Sequence, residues 1–130
     1  MKTLVILVGV LAITTVGYGL NIDRLRKYNS NFKKCSEELG ESISEPSAKT
    51  VRCALARDGQ IFDTNGKYIK ENALQALEDT ISDEGKLNQA KTIFNKCYND
   101  ALKGGSTVDK QTMEIVECTL AIASLLDKLN

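Results

Sequence analysis

Four cysteines are the residues of this 130-residue chain with the clearest potential for chemistry: Cys35, Cys53, Cys97 and Cys118. No C-x-x-C pair occurs, so their spacing indicates neither a redox-active motif nor a zinc knuckle. An even number of cysteines in an oxidising compartment instead predicts two disulfides. Four cysteines allow three pairings. The sequential pairing closes the shortest loops, but the sequence alone does not choose among the three.

Other chemistry has little support in the sequence. The chain contains no histidine, which removes Ser-His and Cys-His nucleophile pairs and histidine metal sites. No G-x-S-x-G motif or phosphate-binding loop occurs. The stretch Asp63-Thr64-Asn65-Gly66 is faintly similar to a calcium loop, but Ile61 and Asn72 stand where that loop needs carboxylates. We therefore predict a plain turn there, and we expect no enzyme activity, no metal and no cofactor.

The N-terminus has the three-part form of a secretory signal peptide. Met1-Lys2 supplies a positive charge, residues 4–16 are apolar, and Gly17-Tyr18-Gly19 places small residues where a signal peptidase cleaves. A membrane anchor is the alternative, but the apolar run is short for a bilayer and no second one follows. We expect residues 1–19 to be removed, which leaves residues 20–130 as one secreted, extracellular domain. Because Lys2 is the only charge lost, 16 basic residues then face 17 acidic ones, a balance that excludes a strongly basic nucleic-acid binder.

Hydrophobic periodicity predicts an all-α bundle of five to six helices. Helices are expected over residues 22–39, 45–57, 70–80, 82–103 and 106–126, with Gly40, Gly59 and Gly104 as stops, Ser82 as one cap and Ser106-Thr107-Val108-Asp109 as another. The last segment is apolar nearly all round from Ile115 to Leu126, so we expect it to be buried at the centre of the bundle. No stretch alternates convincingly enough for a strand.

The mature chain carries a surplus of large apolar side chains, and these have two interpretations. Ordinary core packing is the more common explanation for any one of them. Collectively they could line an apolar cavity that two disulfides help to hold open, with the hydroxyls of Tyr68, Tyr98 and Thr112 orienting a ligand. The predicted lining consists of Phe32, Leu55, Ile61, Phe62, Tyr68, Leu74, Leu77, Phe94, Tyr98, Thr112, Met113, Val116, Leu120 and Ile122.

One stretch of sequence resembles a known family. From Cys53 the chain reads CALARDGQIFDTNGKY, a cysteine helix that runs into a glycine turn and a D-x-N-G pattern, and the spacing on to Cys97 and Cys118 is similar to that of insect odorant-binding proteins. That family usually has six cysteines, so this chain resembles its four-cysteine minus-C subgroup. The resemblance implies disulfides Cys35–Cys53 and Cys97–Cys118.

The resemblance also implies a function. It predicts a carrier that binds small hydrophobic ligands, such as odorants or pheromones, in an internal cavity. The implied partners are that ligand and a membrane odorant receptor, with no nucleic acid, no stable membrane insertion, and a monomer or weak homodimer. Where the family has its second and fifth cysteines, this chain has Lys49 and Asp109. We consider an ion pair between these two residues, against the alternative that Asp109 only completes a helix cap.

One departure from the family pattern concerns the short segment between Cys35 and Cys53. It indicates that a helix usually found there is shortened or absent, so the bundle has five principal helices. A second function, of another class, is kept beside the carrier: a secreted helical venom, gland or signalling protein that acts through its outer surface. That alternative predicts a filled core and an exposed apolar patch. A secreted hydrolase is a third, disfavoured by the missing histidine and nucleophile motifs.

Overall fold

A computed structural model describes residues 20–42, 44 and 46–128 of the chain. The predicted signal peptide, residues 1–19, lies outside these described residues. The elements are α1 (Ile22–Leu39), α2 (Ala48–Asp58), α3 (Lys70–Thr80), α4 (Glu84–Lys103), α5 (Val108–Cys118) and a 3-10 helix (Leu120–Leu125). The all-α class and the predicted number of helices are confirmed, and this part of the chain contains no strand. No helix in it combines the length and the apolar character that a membrane crossing requires.

The ends of α1 and α2 are set by local polar groups. The Asn21 side chain accepts a hydrogen bond from the Arg24 amide at 3.0 Å, and Gly40 ends α1 in the left-handed conformation, φ 69°. Ser47 caps α2 by accepting from the Thr50 amide at 3.2 Å. Because Ser47 is the cap, α2 starts at Ala48, later than the predicted residue 45.

Helix α4 is capped by Asp83, not by Ser82 as predicted. The Asp83 Oδ2 atom accepts from the Lys86 amide at 2.8 Å. Ser82 instead contacts the C-terminal segment: its amide and its hydroxyl donate to the two carboxylate oxygens of Asp127 at 2.9 and 2.6 Å. Helix α5 is capped within the predicted stretch, but by Thr107, whose hydroxyl oxygen accepts from the Lys110 amide at 3.4 Å. The predicted capping box from Ser106 to Asp109 is therefore wrong, and the Ser106 hydroxyl donates instead to Glu114 at 3.2 Å.

The C-terminal apolar segment differs from the continuous, centrally buried helix expected from its composition. Helix α5 ends at Cys118 and a 3-10 helix follows. At the junction the Thr119 hydroxyl donates to the Ile115 carbonyl at 2.7 Å. Ile115, Val116 and Ile122 are buried, whereas Ala121 and Ser124 face solvent. This segment is therefore buried along one side only, and it covers the bundle rather than filling its centre. Because Ala121 and Ser124 are small, their exposure to solvent costs little free energy.

Both disulfides connect helices that follow one another in the bundle. Cys35–Cys53 joins α1 to α2 and Cys97–Cys118 joins α4 to α5, with Cα–Cα distances of 6.0 and 5.8 Å. The sequential pairing is therefore confirmed. The described residues between Cys35 and Cys53 contain the end of α1, a loop and the start of α2, without a further helix.

The loop from Ile61 to Ile69 carries an aromatic residue into the core. Its ends pair through the Ile69 amide and the Ile61 carbonyl at 2.8 Å, and an isolated bridge joins Phe62 to Tyr68. The Tyr68 side chain, 5% exposed, packs on Phe94 of α4 with ring centroids 5.5 Å apart. At the tip, the Asp63 carboxylate accepts from the amides of Asn65 and Lys67 at 2.8 and 3.0 Å, which confirms the predicted turn.

Candidate functional site

An internal cavity lies between α1, α2, α3, the loop before α3, Phe94 of α4 and the C-terminal segment. Its volume is about 90 Å³, which is far below the ~300–1,000 Å³ of pockets that hold drug-sized molecules. Seven of the predicted lining residues do surround it: Leu55, Ile61, Tyr68, Leu77, Phe94, Leu120 and Ile122. Of these, Leu55, Leu77 and Phe94 lie on α2, α3 and α4, where the helical period predicts the inward side.

The other seven predicted residues lie elsewhere. Phe32 is on an outer groove beside Tyr28, and Val116 is fully buried in the core. Phe62, Leu74, Tyr98 and Met113 are half-buried and pack against the core from outside. The Thr112 hydroxyl donates to the Gly66 carbonyl at 2.7 Å, so it holds the loop tip on α5 and does not face the cavity. Of the three hydroxyl-bearing residues predicted to orient a ligand, only Tyr68 lines the cavity.

Two lining residues of the cavity, Arg24 and Asp58, belong to an ion cluster that was not predicted from the sequence. The Arg24 guanidinium donates twice to Asp58, at 2.9 and 3.1 Å, and once to Asp79 at 2.9 Å. These side chains are only 12% to 15% exposed. Burial opposes the charge of Arg24, but the hydrogen bonds that Arg24 donates to Asp79 and Asp58, together with the negative charges of these carboxylates, outweigh it, so the pKa of Arg24 is raised. The sequence does contain an indication of this cluster, because Arg24 lies one turn before Tyr28 and therefore on the same inward face of α1.

Two tyrosines beside the cavity are desolvated. Burial raises the pKa of Tyr28 from its ordinary value of 10.0 to about 12, and burial raises the pKa of Tyr68 as well. Both hydroxyls are therefore neutral throughout the physiological range. They can donate or accept a hydrogen bond there, but neither can serve as a base.

The raised tyrosine pKa values predict a loss of stability in alkali. A group whose pKa is higher in the folded state than in the unfolded state contributes its full stabilisation at any pH below the unfolded-state pKa. The contribution of Tyr28 is therefore complete below pH 10 and is lost as the pH rises toward about 12. Replacing Tyr28 with Phe removes this contribution and is expected to reduce the loss of unfolding free energy in alkali by about 2 kcal/mol. Urea unfolding across this pH range measures it, with Tyr98→Phe as the control. Equal alkaline losses in the two variants would contradict the prediction.

The proposed ion pair at Asp109 forms with a different partner. Asp109 pairs with Arg52 of α2 and not with Lys49. Arg52 lies almost one turn beyond Lys49, and the guanidinium at the end of its side chain reaches the first turn of α5. The Asp109 side chain is 79% exposed, so the pair contributes at most ~1 kcal/mol, well short of a disulfide.

Four large apolar side chains are exposed among the described residues: Ile22, Leu39, Leu102 and Val108. Leu102 is in the last turn of α4 and Val108 is the first residue of α5, so only a short turn separates them. These two side chains therefore lie at the end of the bundle where α4 leads into α5, which we call the apolar end.

Comparison with known proteins relates the chain to venom proteins. The sequence model described as the ant venom allergen Sol i 2 family matches residues 34–123. A protein named Venom allergen 4, from Solenopsis geminata, is 23% identical over 125 residues, which cover 92% of this chain and 90% of that protein. No solved structure matches the chain significantly.

These matches overturn the resemblance to insect odorant-binding proteins and, with it, the predicted carrier of odorants or pheromones. The resemblance depended on four cysteines and a D-x-N-G turn. Such a pattern determines which helices can be crosslinked and where the chain turns, but it does not determine what the protein binds. The expected absence of catalytic activity and of nucleic-acid partners stays a prediction.

Proposed function

The chain belongs to the ant venom allergen Sol i 2 family, and on that premise we propose that it is a secreted venom protein that acts through its outer surface. The family match carries this proposal. Its residues 34–123 include all four cysteines and most of the helical bundle, from the end of α1 to the 3-10 helix. The family match therefore covers both disulfides and most of the helices of this chain.

Secretion is supported by the covalent structure. The two disulfides are of a kind that forms and persists in oxidising, extracellular compartments. The N-terminal residues have the pattern of a signal peptide. Both features fit a protein that is exported into a glandular fluid.

Two features support action through the surface: the small volume of the internal cavity and the exposed side chains of the apolar end. The internal cavity of about 90 Å³ leaves little room for enclosed cargo, and the larger space of about 380 Å³ beside Tyr28 and Phe32 is a groove on the outer surface. The apolar end presents Leu102 and Val108, which are 42% and 39% exposed, and neighbouring exposed apolar side chains are common where proteins are recognised. The word allergen in the relative's name leads us to propose that antibodies recognise the folded surface of this chain.

Two measurements test the proposal. Mass spectrometry of dissected venom and of other secretions should find the mature chain in venom. Immunoglobulin E from donors sensitised to ant venom should bind the oxidised protein more strongly than the reduced and alkylated chain, because recognition of a folded surface requires the helices to be assembled. A protein found only outside venom, or one that no sensitised serum binds in either form, would refute the proposed function.

A further inference from the structure

The loop tip before α3 contains the only Asn-Gly pair in the sequence, Asn65-Gly66. Asn65 is exposed. Gly66 has φ +82°, and nothing lies within 4 Å of the position where a Cβ would stand. An asparagine followed by glycine is chemically labile, because the glycine nitrogen has no neighbouring side chain to hinder its attack on the asparagine amide. The structure therefore presents this pair to water at an unobstructed position.

We propose that Asn65 is a site of spontaneous deamidation and isomerisation in the folded protein. The Gly66 main-chain nitrogen, after losing its proton to solvent base, attacks the Asn65 side-chain amide carbon. A new C–N bond closes a five-membered succinimide, the bond from the side-chain carbonyl carbon to the amide nitrogen breaks, and that nitrogen takes a proton from water and leaves as ammonia. Water then opens the ring at either carbonyl, which yields aspartate or isoaspartate at position 65. No oxidant, reductant or enzyme takes part.

The turn around Asp63 controls the rate of this reaction. The attacking Gly66 nitrogen donates its proton to the Asp63 main-chain carbonyl at 3.0 Å. The Asp63 carboxylate also holds the amides of Asn65 and Lys67. Ring closure requires these bonds to open, so the folded turn slows the reaction without preventing it. Asn29-Ser30, which is exposed in the middle of α1, is held by a whole helix and reacts later.

The product alters a contact between the loop and α5. Isoaspartate adds one carbon to the main chain between residue 65 and Gly66, and either product places a new carboxylate beside Asp63. The Gly66 carbonyl accepts the hydroxyl proton of Thr112, which is 1% exposed. Displacing Gly66 leaves that buried hydroxyl without its partner, and the expected consequence is a shift of about tenfold in the unfolding equilibrium.

The experiment follows the oxidised mature protein during incubation in mildly alkaline buffer at physiological temperature. Peptide mapping by mass spectrometry should find the gain of one mass unit at Asn65 before any other asparagine. Isoaspartate should be confirmed by labelling with an isoaspartyl methyltransferase. Asn65→Gln, which disfavours the five-membered ring, should abolish the early signal, whereas Asn29→Gln should leave it unchanged. Conversion at Asn29 or Asn99 ahead of Asn65, or an intact Asn65 throughout, would overturn the proposal.

A second variant tests the control by the turn. Asp63→Ala removes the carboxylate that holds two of the loop amides, so it should accelerate conversion of Asn65. Circular dichroism establishes that this variant is folded. The reduced and denatured wild-type chain gives the upper limit of the rate. If Asp63→Ala and the wild type convert at the same rate while the denatured chain is faster, the turn does not control the reaction and that part of the proposal is wrong.

Discussion

Replacement of Arg24 by Met is expected to destabilise the protein by about 3 kcal/mol, the low end of the range for breaking a buried ion pair. The change removes the cation that pairs with both Asp58 and Asp79, and it leaves two carboxylates with little access to water. The low end applies because the three side chains keep 12% to 15% exposure. Chemical unfolding of the oxidised protein, followed by circular dichroism, measures the effect.

Arg26→Met is the matched control for this replacement. Arg26 is on the same helix but is 69% exposed, and its nearest carboxylate, Asp23, is 3.9 Å away. Its replacement should change stability by no more than about 0.5 kcal/mol. Adding Asp58→Asn and Asp79→Asn to Arg24→Met should recover part of the lost stability, because it removes the uncompensated charges. Equal losses for Arg24→Met and Arg26→Met would show that the cluster does not stabilise the fold.

Loss of either disulfide is the second large effect that we expect. Each closes a loop of about twenty residues, and on the chain-entropy account each contributes about 3 kcal/mol. The paired variants Cys35→Ala with Cys53→Ala, and Cys97→Ala with Cys118→Ala, should each lower the denaturant midpoint.

The disulfide variants need a control for packing, because Cys35 is fully buried and alanine leaves a small void. Reducing the wild-type protein breaks the crosslinks and keeps all four side chains. The difference between the reduced protein and the alanine pairs isolates the packing contribution. If the reduced wild type unfolds at the same denaturant concentration as the oxidised protein, the crosslinks do not stabilise the fold.

The extent of the helices could be predicted from the sequence where local signals decide it. The bounds of α1 and α3 agree with periodicity and with the glycine stop at Gly40. The predictions that failed depend on side-chain hydrogen bonds that hydrophobic periodicity does not show. Ser82 has the chemistry of a cap but donates to the distant Asp127, and the Thr119 hydroxyl donates to the Ile115 carbonyl where α5 ends and the 3-10 helix begins. Neither contact leaves a periodic trace in the sequence.

The candidate site shows the same division between local pattern and tertiary contact. Periodicity identifies the inward side of a helix, as it did for Leu55 and Leu77. It cannot show whether that side meets a void or another side chain, and Val116 meets the core while Leu120 meets the cavity. The partner of Asp109 could not be predicted from the sequence either. Lys49 and Arg52 are both cations on α2, and only the packing of α2 against α5 selects Arg52.

The order in which the cysteines pair has a consequence for resistance to digestion. Each bridge closes within one half of the molecule, Cys35–Cys53 in the first and Cys97–Cys118 in the second. Between residues 59 and 83 only the peptide backbone connects the two halves covalently. A single proteolytic cut in that segment would therefore yield two separately crosslinked fragments, held together by noncovalent forces alone.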